Sequence, residues 1–131
     1  VRLAKAGDAL QQGVVFFAPD GVHMAVDNKG EKIVLKEDVS KKMLHVPAID
    51  ILMNSAAEVF GEGAVGVIMT GMGRDGVNGI SAIKAAGGVT ISQDEQTSAI
   101  YGMSKIAVDQ GVIDRGLPLD QIAEELVRIV R

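Results

Sequence analysis

A carboxylate inside a glycine-rich turn is the feature of this sequence with the clearest chemical potential. Gly71-Met72-Gly73-Arg74-Asp75-Gly76 follows an unbroken apolar run, Val65–Met69, and precedes a helical pattern. Short β-branched runs closed by glycine read as buried parallel strands. In open α/β sheets, function sits just beyond the carboxyl ends of such strands. Asp75 has a structural use close at hand, capping the helix that follows, worth about 1 kcal/mol. Met72 is harder to assign to structure. An apolar residue between two glycines implies a backbone that comes close to something with its N–H free, and Gly71 and Gly73 give the chain the freedom to take that path.

The same turn satisfies the dinucleotide fingerprint literally, as Gly71-x-Gly73-x-x-Gly76 between a strand and a helix. Asp94, at the end of the next strand, stands near the place of an acidic ribose ligand. A Rossmann-like nucleotide-binding domain is therefore a competing reading. Against it, Asp75 would put a carboxylate where a pyrophosphate needs bare N–H groups and a positive helix end.

Other reactive side chains are sparse. There are 2 histidines and no cysteines, which excludes a thiol nucleophile, a disulfide framework and a thiolate metal site. His23 falls on a strand, where a structural role is the commoner one, and His45 falls in a polar loop. No serine lies in a Gly-x-Ser-x-Gly elbow. Ser55 and Ser81 fall inside helical patterns, where a hydroxyl commonly bonds its own backbone.

The elements that must position the turn follow from the rest of the chain. With 131 residues, 47% apolar and 23% charged, the sequence has one domain's worth of core. A net charge of −4 without a basic patch, and an aromatic content of 3%, give no footprint for nucleic acid. No apolar run approaches the ~20 residues that span a bilayer and no signal peptide is visible, so no membrane insertion and a cytoplasmic location are expected. Strands are predicted at Val14–Ala18, Val22–Val26, Lys32–Leu35, Val65–Thr70, Val89–Ser92 and Val112-Ile113. The second and third form a half-solvated hairpin. Helices are predicted over Ala48–Phe60, with Ile49, Leu52, Met53, Ala56 and Phe60 on one face, then Val77–Ala86, Ser104–Gln110 and Leu119–Arg131. Lys36–Val46 reads as irregular and exposed. Two β–α–β units in succession imply right-handed crossovers and a parallel sheet. The expected fold is α/β, a doubly wound, mainly parallel sheet with helices on both faces and a peripheral antiparallel hairpin.

The segment TGMGRDGVNGISAIKAAGG (70–88) followed by QDEQTSAIYGM (93–103) resembles the catalytic domain of the chemotaxis protein-glutamate methylesterases, the CheB family. FFAPDGVHMAV, VPAIDILMNSAA and LPLDQIAEEL resemble that family's hairpin, helix and closing helix, so the resemblance covers essentially the whole chain. Ser104 stands where the family usually carries proline. The resemblance implies a serine hydrolase that removes methyl esters from chemoreceptor glutamates, and deamidates receptor glutamines, with a Ser–His–Asp triad and no metal or other cofactor. By position, Asp75 would be the triad acid and Met72 the residue whose backbone N–H helps hold the oxyanion, with Gly71 and Gly73 flanking it. The family's serine and histidine lie in turns that precede the matched region. The chain is thus expected to be the C-terminal portion of one catalytic domain (1–131), without the leading strands and without the receiver domain, and inactive alone. Implied partners are methylated chemoreceptor helices and, in the full-length family, the receiver domain and the chemotaxis histidine kinase. A non-catalytic interaction module that self-associates through an open sheet edge is the alternative of another class.

Overall fold

The computed structural model describes residues 1–38 and 44–130. Three small sheets make up the strands. A parallel pair joins β1 (Arg2–Leu3) to β2 (Phe16–Phe17). An antiparallel hairpin joins β3 (His23–Val26) to β4 (Ile33–Lys36), with His23 opposite Lys36 and Val26 opposite Ile33. A parallel sheet runs in the order β5 (Val65–Ile68), β6 (Val89–Gln93), β7 (Arg115–Leu117). Helix α1 (Ile49–Phe60) precedes β5, α2 (Val77–Ala85) and α3 (Met103–Asp109) form the two crossovers, and α4 (Leu119–Val130) closes the chain. Successive crossovers in one direction place α2 and α3 on the same side of the sheet, while α4 also packs on β6. Both faces of β6 are accordingly covered, and Thr90, Ile91, Ser92 and Gln93 are all buried. This is the α/β fold expected. Among the described residues no helix is long and apolar enough to cross a membrane.

The core of the parallel layer gathers Ile68, Val77, Ile80, Met103 and Ala107. It marks α2 as the helix that ties β5 to its neighbours, and α1 lies alongside α2 as the most extensive helix–helix contact in the chain. Several sequence expectations shift here. The predicted strand at Val112-Ile113 is displaced to Arg115–Leu117, and Val112 and Ile113 pack on the core instead. The strand over Val14–Ala18 shrinks to Phe16–Phe17. The hairpin is not half-solvated on β3, where His23, Met24 and Ala25 are all buried. In α1 the buried residue is Ala57, and Phe60, placed on the inner face by periodicity, is 42% exposed. Toward α2 the helix presents Asp50 and Met53 at Gly79, and Leu52 packs on the cluster of the hairpin, so the predicted face holds at Leu52 and Met53 and departs at Phe60. Within Lys36–Val46, residues 39–43 lie outside the described residues; Lys36, Glu37, Leu44 and His45 are exposed as expected, but the Asp38 side chain is only 14% exposed.

The β6–β7 edge is held by Asp114. Its Oδ2 accepts the Thr90 N–H at 2.9 Å, its own N–H donates to Thr90 Oγ1 at 2.9 Å, and Lys84 pairs with Oδ1. The Lys84 hydrogen bond, aided by the Thr90 N–H, holds the Asp114 carboxyl below its ordinary value, against a smaller opposing effect of burial. A folded-state value below the unfolded one stabilises at pH above the unfolded value, about 3.9, and that contribution is lost as pH falls through the folded value. Asp114→Asn is therefore expected to lower Tm at neutral pH and to flatten the decline of Tm below about pH 4. Thermal melts of parent and variant across that range test this, and parallel declines would refute it.

Candidate functional site

The carboxyl end of β5 opens into the turn Thr70–Gly76, and a second loop, residues 94–102, is laid against it. Thr70 N–H donates to the buried Gln93 side-chain oxygen at 3.1 Å, and Ile100 N–H donates to Thr70 Oγ1 at 2.8 Å. Gly71 N–H donates to the Ile100 carbonyl at 3.0 Å, and Met103 N–H donates to the Gly71 carbonyl at 3.3 Å. Gly102 makes the approach possible. A Cβ there would stand 2.6 Å from the Gly71 oxygen and 3.2 Å from Met72 Cα. Backbone therefore presses on backbone, and the path of residues 71 and 72 is fixed from one side. Met72 itself is 78% exposed, and its N–H donates no hydrogen bond among the described residues. Gly73 follows with φ +91°, a conformation an L side chain rarely adopts.

Asp75 does not cap the helix that follows it. The N-cap of α2 is Gly76, at φ 105°. The Asp75 carboxylate instead reaches across to α1, where Oδ2 accepts the Ile49 N–H at 2.8 Å and Oδ1 accepts the Asp50 N–H at 3.0 Å. Asp50 returns the contact, its Oδ1 accepting the Gly76 N–H at 2.9 Å and the Gly79 N–H at 2.7 Å. Each helix thus has two N–H groups at its start satisfied by an aspartate that belongs to the other element, and each carboxylate lies at a positive helix end. Gly79 permits this crossing, since a Cβ there would meet Met53 Cβ at 2.5 Å and Asp50 Cα at 3.2 Å. Asp50 went unnoticed in the sequence. An acidic residue in the first turn signals a cap for its own helix, and no spacing rule links it to an amide 26 residues away.

A shallow depression of about 290 Å³ lies beside the turn, and Asp50, Gly73, Arg74, Asp75 and Asn78 line it together with His45. The structure therefore brings one of the two histidines to the neighbourhood of Asp75, though no hydrogen bond joins them. The other, His23, is elsewhere. It is buried, and its Nδ1 accepts the Ala48 N–H at 3.1 Å. Its Nε2 lies 3.8 Å from Asp38 Oδ1, beyond hydrogen-bond reach. Four serine hydroxyls are spent on backbone carbonyls, Ser55 donating to Leu52, Ser81 to Val77, Ser98 to Asp94 and Ser104 to Met69, while the Ser92 hydroxyl on β6 is fully buried without a partner among the described residues. Asp94 is a loop brace, accepting the N–H and the hydroxyl of Thr97 at 3.0 and 2.7 Å. The α2 N-terminus that a pyrophosphate would need is already filled by the Asp50 carboxylate, which removes the physical basis of a nucleotide site there. Among the described residues no group of three or more His, Cys, Asp or Glu could hold a metal ion.

Comparison with known proteins places this geometry in context. The family model described as "CheB methylesterase" matches residues 1–126. A protein-glutamate methylesterase/protein-glutamine glutaminase of Pyrococcus abyssi is 48% identical over 131 residues, which is 99% of this chain and 36% of the relative. One of the same name from Geobacter sulfurreducens is 42% identical over 132 residues, covering 98% and 36%. The chain thus spans little more than a third of these relatives. Among solved structures, the catalytic domain of the Thermotoga maritima CheB methylesterase superimposes with a TM-score of 0.90 at 32% identity, over 96% of this chain and 67% of that one.

Proposed function

This chain belongs to the CheB methylesterase family, and from that premise we propose that it supplies the acid and part of the oxyanion site of a protein-glutamate methylesterase. Asp75 is the triad acid. Both of its oxygens accept helix N–H groups, which fix the carboxylate plane, and a carboxylate with about four lone-pair sites keeps capacity for an imidazole N–H. Accepting that N–H sets the tautomer of the base and stabilises the imidazolium as the nucleophile is deprotonated. The Met72 N–H, with Gly102 packed against its backbone and no acceptor among the described residues, is a donor for the tetrahedral oxyanion. One such donor is worth roughly 3–4 kcal/mol in comparable hydrolases. The observation that carries this reading is a Met72 N–H without an acceptor among the described residues, in the same turn as a carboxylate held at both oxygens.

The serine and histidine are proposed to come from a segment preceding these residues in the full protein, because Ser55, Ser81, Ser98 and Ser104 are bonded to carbonyls, Ser92 is fully buried in β6, and neither histidine bonds Asp75 among the described residues. Serine attack on a glutamyl methyl ester expels methanol, and water then cleaves the acyl-enzyme to leave glutamate. Attack on a glutamine side chain expels ammonia by the same route. The substrates proposed are glutamyl esters and glutamines on chemoreceptor helices in the cytoplasm. A receiver domain and a chemotaxis kinase are the proposed regulators.

Two preparations test the proposal. The 131-residue chain alone is expected to release no methanol from methylated receptors and to take up no fluorophosphonate. The Pyrococcus abyssi relative carrying this chain in place of its matching region is expected to do both. A fluorophosphonate adduct on one of this chain's own serines, or a folded but inactive chimera, would overturn the reading.

A further inference from the structure

We propose that Asp50 is a positioning residue for Asp75, acting through the paired caps of α1 and α2. The catalytic consequence rests on the role assigned to Asp75 above, whereas the geometry does not. The two aspartates close a ring of hydrogen bonds: Asp50 N–H donates to Asp75 Oδ1, and Gly76 N–H donates to Asp50 Oδ1. The Gly76 N–H belongs to the peptide unit that leaves Asp75, so Asp50 fixes the main-chain plane from which the acid projects. The Asp75 side chain then returns to the backbone of Asp50, so its torsions are fixed at the other end. Neither carboxylate can rotate without releasing its bond in the ring. Gly79 N–H adds a second donor to the same Asp50 oxygen at 2.7 Å, which keeps that oxygen in place.

Position and charge make opposite predictions about two variants. Asp50→Asn keeps an acceptor oxygen at the same distance from the backbone and removes the charge. Asp50→Glu keeps the charge and moves the oxygens by one methylene, about 1.5 Å. The first measurement is amide hydrogen exchange of the 131-residue chain at Ile49, whose N–H bonds Asp75 and not Asp50. Asp50→Asn is expected to leave Ile49 protection within about 3-fold of the parent. Asp50→Glu is expected to reduce it about 10-fold or more, with the interior of α1 around Ala57 unchanged, as a cap released at one end frays only the first turn. The second measurement is methanol release by the chimera, in which Asp50→Glu is expected to lower kcat up to about 10²-fold with KM within about 2-fold, and Asp50→Asn to recover most of it. The reverse order at Ile49, with Glu protecting and Asn not, would show that charge alone matters and overturn the proposal, as would a kcat unmoved in Asp50→Glu when Ile49 is deprotected. An inactive parent chimera would instead overturn the methylesterase reading, and the Ile49 measurement would still decide the geometry.

Discussion

Replacing Asp75 with asparagine in the chimeric methylesterase is expected to lower kcat about 10⁴-fold, the scale on which a serine-hydrolase triad responds when its acid can no longer hold the correct tautomer. Asparagine is the informative variant because it preserves size. Its single carbonyl oxygen can still accept from Ile49 or Asp50, but its amide group then faces the other N–H, and two donors meet where donor and acceptor stood. That leaves one helix N–H unsatisfied, so Tm should also fall, by an amount corresponding to about 1–3 kcal/mol. The two effects are separable. At a temperature where circular dichroism shows the variant folded, the stability cost no longer limits activity, and the loss of kcat must persist. A variant that keeps a tenth or more of parental kcat while folded would remove Asp75 from the triad and leave it as the cap of α1.

The largest effect on stability is expected at Gly79. Two terms compete there. Alanine favours the helix over glycine by about 1 kcal/mol. Overpacking costs about 1–3 kcal/mol, and here the added Cβ would meet Met53 Cβ and Asp50 Cα, neither of which is the movable end of a side chain. Overpacking should therefore win, with Gly79→Ala less stable than the parent and Gly79→Val lower by about 3 kcal/mol. For a chain of this length that corresponds to a drop in Tm of about 10 °C. Because α1 must move away from α2, the Asp50 and Asp75 caps should loosen in the same variants, raising exchange at Ile49. A Gly79→Ala protein that melts above the parent would show that the helices have room to spare, and the close-crossing account would fail.

The parallel layer was legible from local pattern. Val65–Ile68, Val89–Gln93 and the helices between and after them sit within a residue or two of where apolar runs and glycine punctuation place them. Strands there are short, with Gly71 after the first and Gly87-Gly88 before the second, so composition and position coincide. The hairpin β3–β4 was legible for the same reason, through alternation around Asp27-Asn28-Lys29-Gly30. Less was legible at the edges. Val112 and Ile113 look like a strand because they are β-branched, yet the pairing with Ile91–Gln93 falls to Arg115–Leu117, where register rather than side-chain type decides. The inner face of α1 was legible at Leu52 and Met53, which pack on the core clusters, and not at Phe60, the last residue of the helix, which is 42% exposed.

At the site, the sequence by itself determined the location: a glycine turn with Met72 and Asp75 at the end of a buried strand, a combination of residue types that could be picked out without any contact map. Tertiary structure alone decided the partners. Asp75 was expected to serve the helix next to it, and it serves α1 instead. Asp50 carried no visible signal and holds α2. Gly102, one glycine among 16 in the sequence, allows a second loop to rest against the Met72 backbone. The physical reason is common to all three. A hydrogen bond or a contact at 25 to 31 residues' separation depends on how two packed elements cross, and that crossing is set by the whole core. Propensity and spacing act within one element, so they reveal which residues have chemistry to offer and leave open what each of them will meet.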